Sequence, residues 1–480
     1  MNYESIRYII GWILKVESIL MFLPLAAAAI YHEDCGWAFV LSSVLCMTLG
    51  MILSRNKPKN TAYYAKEGYV SVSLGWIVMS FMGCLPFVVS GEIPSFVDAW
   101  FEIVSGFTTT GASILVDVQS LSKSMILWRS FSQWIGGMGV LVFILAILPL
   151  AGGEHNFQLM KVETPGPVVS KLVPKLRTTA VMLYKIYFTM TVVMLILLLI
   201  GGLDIFDALC IAFGTAGTGG FGIMNTSMAE YNAFLQGVTL VFMLLFGVNF
   251  SFYFLILYRK VKEAFALEEV RWYFLIYGIS VLLLTFDLTR HGEIFLKAFH
   301  DAAFHAASMI TTTAYSTSDF NVWPALAKGV LFVLMFIGSC AGSTGGGMKV
   351  SRMIVYIKSV RKEIRALVHP RSVRAIKLDG KVLDENKVRT ITTYMAAYLM
   401  VFAFTLLVVS RDDYDFETNF LAVAATINNI GPGFGSVGPL SNFSGFSDLS
   451  KIIMSFVMLT GRLEIFPILI LFSPSTWKNK

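Results

Sequence analysis

The chain has 480 residues, 56% of them hydrophobic and only 14% charged, with a formal net charge of +6. A soluble domain carries about 25% charged residues, so a water-facing surface of this size cannot be covered and a soluble fold is excluded. The cations sit in short stretches between apolar runs, which argues against nucleic acid as a partner. Five scattered cysteines (Cys35, Cys46, Cys84, Cys210 and Cys340) form no CxxC pair, which argues against a disulfide frame or a zinc site.

A membrane helix needs about 20 apolar residues. In chain order, such runs lie at Ile9–Ile30, Trp37–Leu53, Tyr69–Val89, Met125–Leu150, Val181–Leu203, Phe234–Tyr258, Trp272–Leu288, Trp323–Cys340, Ile391–Val409 and Ile452–Phe472. About ten spans are therefore expected, an even number that puts both termini on one side. The links Arg55–Lys66, Lys161–Arg177, Arg259–Arg271 and Lys349–Arg389 are basic, whereas the opposite links carry Glu92, Asp98, Asp204, Asp207, Asp412, Asp413 and Asp415. Basic links and both termini are expected in the cytoplasm.

Each outer link also carries a small-residue segment too short and too polar to cross a bilayer. These run from Ser95 to Ser113, Asp204 to Gly222, Phe299 to Ser316 and Asp415 to Gly435. Each reads as a half-helix that enters the membrane and returns, an arrangement tolerated only where backbone lines a protein-walled aqueous cavity. Aligned on the turn, Gly111, Gly219, Ala314 and Gly431 share one column, and Asp98, Asp207, Asp301 and Thr418 open the half-helices at one offset. A repeat of about 100 residues is too long for a solenoid and suits units arranged about an axis along the membrane normal. The expected fold is an all-α polytopic membrane protein. A two-helix hairpin (1–66) precedes four pseudo-symmetric helix–pore-loop–helix repeats around a central ion pore. The repeats cover 67–160 (filter 109–113), 161–262 (filter 217–221), 263–365 (filter 312–316) and 366–480 (filter 429–433).

The chemistry follows from that geometry. Half-helices aim partly negative C-terminal ends at a shared cavity, glycine permits the backbone conformations a line of carbonyls requires, and those oxygens replace the water shell of a dehydrated cation. Hydroxyls of Thr109, Thr110, Thr218, Thr312 and Thr313 add further oxygens. With no fixed carboxylate ring, the design favours a monovalent ion over Ca²⁺.

Gly338–Gly347 reads GSCAGSTGGG inside the second helix of the third unit. Glycine costs about 1 kcal/mol per residue in a helix interior, so the helix should break there and form a flexible barrier beneath the filter. Arg462 lies between the apolar runs Ile452–Leu459 and Ile465–Phe472. A mid-membrane charge costs at least about 2.5 kcal/mol, so Arg462 is expected under the filter, repelling cations when the loop is closed. Lys123 and Arg129 read as ordinary interfacial charges. Glu102 is a candidate coupling group, and His300 and His305 read as packing or hydrogen-bonding side chains. No HExxH, paired Asp or Ser/His constellation marks an enzyme.

The motifs TTTGAS at 108–113, GSTGGGMK at 342–349, NNIGPGFG at 428–435 and GRLEIFP at 461–467 resemble those of the potassium-transporting Trk/Ktr/HKT superfamily, over nearly the whole chain. The likeness is greatest to the membrane subunit of bacterial Trk systems. The resemblance implies K⁺ uptake across the cell inner membrane, a homodimer, and a cytosolic TrkA-like regulatory subunit that binds nucleotides. This chain itself has no dinucleotide fingerprint, so no organic cofactor is expected. The resemblance carries the filter positions to Thr109, Thr110 and Gly111; Gly217, Thr218 and Gly219; Thr312, Thr313 and Ala314; and Asn429, Ile430 and Gly431. It carries gating to Gly342, Gly345, Gly346, Gly347 and Arg462. The basic stretch Lys349–Arg389 is a topology signal that also suits anionic lipid or docking of the regulatory subunit. One position departs from the family pattern: Ala314 stands where the third filter has glycine. In plant relatives, loss of a filter glycine accompanies Na⁺ transport, so Na⁺ or mixed Na⁺/K⁺ permeation, or cation symport, is the alternative to K⁺ uptake.

Overall fold

The structure, a computed structural model, describes residues 1–58, 65–139, 176–370 and 375–477. The described chain is helical apart from Lys377–Leu378, which pairs antiparallel with Lys381–Val382. The expected link Lys161–Arg177, apart from its last two residues, the boundary between the first two repeats, and the end of the span Met125–Leu150 lie outside the described residues.

An N-terminal hairpin, formed by Tyr3–Leu20 with Phe22–Tyr31 and by Gly36–Leu53, packs against the first helix of the first unit, Ala65–Gly83. Each unit then repeats one plan. An outer helix (Ala65–Gly83, Leu176–Ile200, Glu268–Arg290, Glu385–Val409) leads to a short pore helix (Phe96–Phe107, Ile205–Gly217, Phe295–Ile310, Phe416–Ile427). A turn follows, then an inner helix beginning at Lys123, Ala233, Ala325 or Asp448. The surface of the outer helices is apolar where that of a soluble protein would be polar, and polar groups sit at the centre. Leu282, Phe286, Phe404 and Leu407 on the outer helices are exposed, whereas Thr109, Thr218, Thr312 and Asn429 are buried. That distribution suits a chain surrounded by hydrocarbon with polar backbone at its centre.

Six described helices are long and apolar enough to cross a membrane, or seven if Ala233–Phe246 and Phe250–Leu257, bent by 89°, count as one span. About ten were expected, and the difference lies in the inner helices. The first runs to Gly137, and residues 140–175 beyond it are outside the described residues. The second bends at residues 247–249. The third stops at Ile337 and resumes at Val350. The fourth stops at Arg462 and resumes at Phe466, with Glu464 and Ile465 at φ 61° and 69°. A window average passes over the break in the second, where residues 247–249 are small or uncharged, and the glycines of the third and the charged Arg462 and Glu464 of the fourth are the signals of a break in the chain itself.

The pore helices start as the sequence suggests in three units. Ser95, Asp204 and Asp415 accept hydrogen bonds from the backbone N–H of Asp98, Asp207 and Thr418. Each such cap contributes about 1 kcal/mol. The third helix departs from expectation: it begins at Phe295, ahead of the expected Phe299, with no side-chain cap. Asp301 therefore lies inside this helix rather than at its start, where its carboxylate accepts from the Thr317 hydroxyl. The apolar residues preceding it extend the helix without any polar start signal.

Candidate ion-conduction site

All four pore helices end in the same way. Within two residues of each helix terminus stands a left-handed residue that is not glycine: Thr109 (φ 55°), Thr218 (55°), Thr312 (59°) and Asn429 (53°). The next N–H reaches back over the last turn, from Thr110 to Ser105, Gly219 to Gly214, Thr313 to Ser308 and Ile430 to Ala425. This is the Schellman closure, whose left-handed position glycine normally fills. A non-glycine residue there is held at a cost of roughly 1–3 kcal/mol, the kind of strain that gathers at functional sites. Two residues on, a second positive φ recurs at Gly111 (82°), Gly220 (72°), Ala314 (64°) and Gly431 (81°).

The closure fixes the register of the four turns and corrects one column. Gly220, not Gly219, matches Gly111, and the second triplet runs 218–220 rather than 217–219. Gly217 is the last residue of its pore helix. The tandem glycines Gly219 and Gly220 made the sequence alignment ambiguous by one residue, and only the hydrogen-bond pattern separates them.

These turns meet one another. A Cβ placed on Gly111 would lie 2.1 Å from the Gly219 carbonyl oxygen, one on Gly220 would lie 1.7 Å from that of Thr313, and one on Gly431 would lie 2.8 Å from that of Thr110. The first strand thus abuts the second, the second abuts the third, and the fourth closes on the first. Gly111, Gly220, Ala314 and Gly431 line a single open cavity. A second cavity beneath includes Asn429, Gly345, Gly346, Gly347, Lys349 and Arg462. The amide of Asn429 spans the fourth-to-first junction, donating to Thr110 Oγ1 and to the Met458 carbonyl, each at 2.9 Å.

The glycine-rich segment lies directly against the lower face of these turns. Gly346 N donates to Thr312 Oγ1 at 2.6 Å, and Gly347 N donates to the Asn428 carbonyl at 2.9 Å. A Cβ on Gly346 would lie 2.2 Å from the Asn428 oxygen, so only glycine allows this approach. Both ends of the loop are held by the buried Glu269 carboxylate, which accepts from Ala341 N at 2.6 Å and Ser351 N at 3.0 Å. Glu269 was not singled out from sequence, since it sits in a basic link and reads there as a surface charge.

Arg462 reaches from the fourth inner helix to the Thr344 carbonyl at 2.7 Å, the Gly137 carbonyl at 2.8 Å and the Gly136 carbonyl. Gly136 and Gly137 are the last residues of the first inner helix, so Arg462 donates to carbonyls at a negative helix end. Charge-assisted bonds of about 1.5–3 kcal/mol each together outweigh the roughly 2.5–3.5 kcal/mol penalty for a charge at this depth. Glu464 pairs with Arg352, whose guanidinium covers the Tyr394 ring at 4.2 Å. Lys349 Nζ donates to the Gly345 carbonyl, inside the same lower cavity.

Arg129 corrects another expectation. It is not interfacial: its side chain is 2% exposed, against the fully buried Glu102 at 2.7 Å. Lys123, by contrast, is exposed and lies over the Tyr31 ring at 4.1 Å. A charge two turns into an apolar helix, with a carboxylate in the preceding pore helix, was the available signal. Pairing across elements was what one sequence did not reveal. His305 is buried, with its ring nitrogens 2.8 Å from the Asp301 carbonyl and 3.2 Å from that of Ser318. Among the described residues no group of His, Cys, Asp or Glu is arranged to hold a metal ion.

Four re-entrant pore helices, each followed by a strained turn and then an inner helix, three of them bent or broken within the described residues, around two stacked cavities, define a pore-loop membrane protein with internal pseudo-fourfold repeats. The family model described as "TrkH: Cation transport protein" matches residues 36–479, and the chain belongs to that family. It is 35% identical to the Trk system potassium uptake protein TrkH of Escherichia coli strain K12, covering 100% of both chains. It is 32% identical to the Trk system potassium uptake protein TrkG of the same strain, again over 100% of both. The crystal structure of the potassium transporter TrkH from Vibrio parahaemolyticus superposes with a TM-score of 0.89 at 32% identity, covering 100% of each chain.

Proposed function

We propose that this protein takes up K⁺ across the cell inner membrane. The ion passes between the four turns, at Thr109, Thr110 and Gly111; Thr218, Gly219 and Gly220; Thr312, Thr313 and Ala314; and Asn429, Ile430 and Gly431. Backbone and threonine oxygens there replace its hydration shell. The observation that carries this reading is the identical helix ending repeated in four units whose turns touch around one cavity. The named relatives, called potassium uptake proteins, support K⁺ as the cargo.

Beneath the filter, the loop containing Gly342, Gly345, Gly346 and Gly347 forms the barrier, and the positive charge of Arg462 repels a descending cation. Opening requires the loop to leave Thr312 and Asn428. A cytosolic TrkA-like nucleotide-binding subunit supplies that bias, acting on the helix Val350–Val368, which follows the loop directly. The protein works as a homodimer with both termini cytoplasmic, and its basic links meet anionic lipid. The hairpin and the four repeats are its structural units.

The test is ion flux from purified protein in liposomes, comparing K⁺, Rb⁺, Na⁺ and Li⁺. Preference for K⁺ and Rb⁺ is expected, and equal flux of all four ions rejects the reading. Ala314 motivates a second reading, Na⁺ permeation or symport. Reversal potentials under imposed Na⁺ and pH gradients separate the two, because a pure K⁺ pathway follows the K⁺ gradient alone.

A further inference from the structure

Arg129 and Glu102 form a buried charge pair that touches two different filter strands from behind. Glu102 sits in the first pore helix and Arg129 on the first inner helix. Both Nε and Nη2 of Arg129 lie 2.7 Å from Glu102 Oε1. The same carboxylate accepts from the Ser113 hydroxyl at 3.0 and 3.1 Å and from Ile114 N at 2.9 Å. Ser113 follows Gly111 by two residues, so this carboxylate holds the outer end of the first strand.

The guanidinium faces the second strand. It lies 4.1 Å over the ring of Phe221, the residue after Gly220. Its remaining nitrogen, Nη1, is buried and has no hydrogen-bond partner among the described residues. A desolvated guanidinium over an aromatic face is held by the ring quadrupole. One turn further along the inner helix, Gln133 Oε1 accepts from Phe221 N at 3.1 Å. The third and fourth strands are tied differently: Ser308 Oγ donates to the Tyr315 carbonyl at 2.6 Å and the Thr317 hydroxyl to the Asp301 carboxylate, while Ser436 N donates to Thr418 Oγ1 at 3.1 Å.

We propose that the Glu102–Arg129 pair is a selectivity-positioning element, a rigid brace that sets the separation of the first and second filter strands without touching the ion. The two residues belong to one unit, yet the pair reaches the first strand through Ser113 and Ile114 and the second through Phe221. A cation of a given radius is recognised by where the ring oxygens stand. Gly111, pressed against the Gly219 carbonyl, leaves that seam no slack. The brace keeps it so. This assignment also removes Glu102 as a coupling carboxylate, because its charge is already neutralised by Arg129. The proposal rests on the filter reading given above.

The test compares K⁺/Na⁺ permeability ratios, from reversal potentials in proteoliposomes, for the unmodified chain, Arg129→Lys and Ser113→Ala. Arg129→Lys keeps the charge but loses the planar fork and the ring contact. Ser113→Ala leaves the ion pair intact and removes one tether. The ratio is expected to fall by about threefold or more in Arg129→Lys and by less in Ser113→Ala, with monodisperse protein in detergent. Where Arg129→Lys does not yield folded protein, Ser113→Ala decides. An unchanged ratio in the folded variants overturns the brace, even if flux falls, since a merely structural role lowers the amount of active protein without altering discrimination. An unmodified chain that does not discriminate overturns both the brace and the filter reading.

Discussion

Ala314 holds a left-handed backbone with a methyl group in place. For an L-residue that conformation costs roughly 1–2 kcal/mol, and the equivalent positions avoid it with glycine. The seam beyond the third strand therefore accommodates a side chain that the others exclude. Replacing Ala314 with glycine is expected to raise the K⁺/Na⁺ permeability ratio several-fold; equal ratios before and after would reject this. Gly220 provides the opposite case. Its Cβ would fall 1.7 Å from the Thr313 carbonyl oxygen, a distance no relaxation of one side chain relieves, because the obstacle is backbone. Gly220→Ala is expected to abolish selective uptake, as measured by K⁺-dependent growth of a strain lacking its own uptake systems.

Three inner helices are bent or broken within the described residues. A helix end or a break leaves carbonyls that a continuing helix would pair, and Arg462 donates to those of Gly136, Gly137 and Thr344. A unit charge 4 Å from a passing cation is worth about 4 kcal/mol at an effective dielectric of 20. Even one third of that is about tenfold in rate. Arg462→Ala should therefore increase leak flux about tenfold or more in liposomes, and unchanged leak would count against the barrier role. Gly346→Ala, which cannot keep its approach to Asn428, should raise leak in the same assay. At the start of the fourth pore helix, hydrogen bonds from the Thr418 hydroxyl and N–H hold the Asp415 carboxyl below the usual carboxylate range. A depressed folded-state value contributes stability above the unfolded pKa, near 3.9, which is lost as pH falls through the lower folded value. Asp415→Ala should lower the melting temperature of solubilised protein at pH 7 by removing a cap worth about 1 kcal/mol. The gap from the unmodified chain should close as pH drops below about 4. A gap of constant size down to the lowest accessible pH would refute the capping assignment.

For the whole molecule, the division of charge between the basic and acidic links predicts the orientation. Val116, near the outer cavity, and Leu367, in the basic helix Val350–Val368, are 75% and 83% exposed. Cysteines introduced at these two positions should react from opposite sides of sealed cells. A membrane-impermeant thiol reagent added outside is expected to modify Val116→Cys and spare Leu367→Cys, measured against the unmodified chain. The reverse pattern would invert the topology. Four of the five native cysteines are buried, so background labelling is confined to Cys35.

Membrane residence, the fourfold repeat, the turn residues and the glycine break were legible in the linear chain because each depends on local composition: apolar runs, small residues at turns, and glycine where a helix cannot continue. Interactions between units were not legible. The one-residue register of Gly220, the uncapped start of the third pore helix, the burial of Arg129 against Glu102 and the grip of Glu269 on the glycine loop follow from which elements become neighbours. Hydropathy does not report whether a charge points to water or to a partner, and tandem glycines carry no register of their own. The sequence by itself determined a polytopic chain with four related pore loops, because desolvating polar backbone in hydrocarbon leaves few alternatives. Tertiary structure decided how the four turns close into one ring and what braces them, because those outcomes depend on close contacts between residues far apart in the chain.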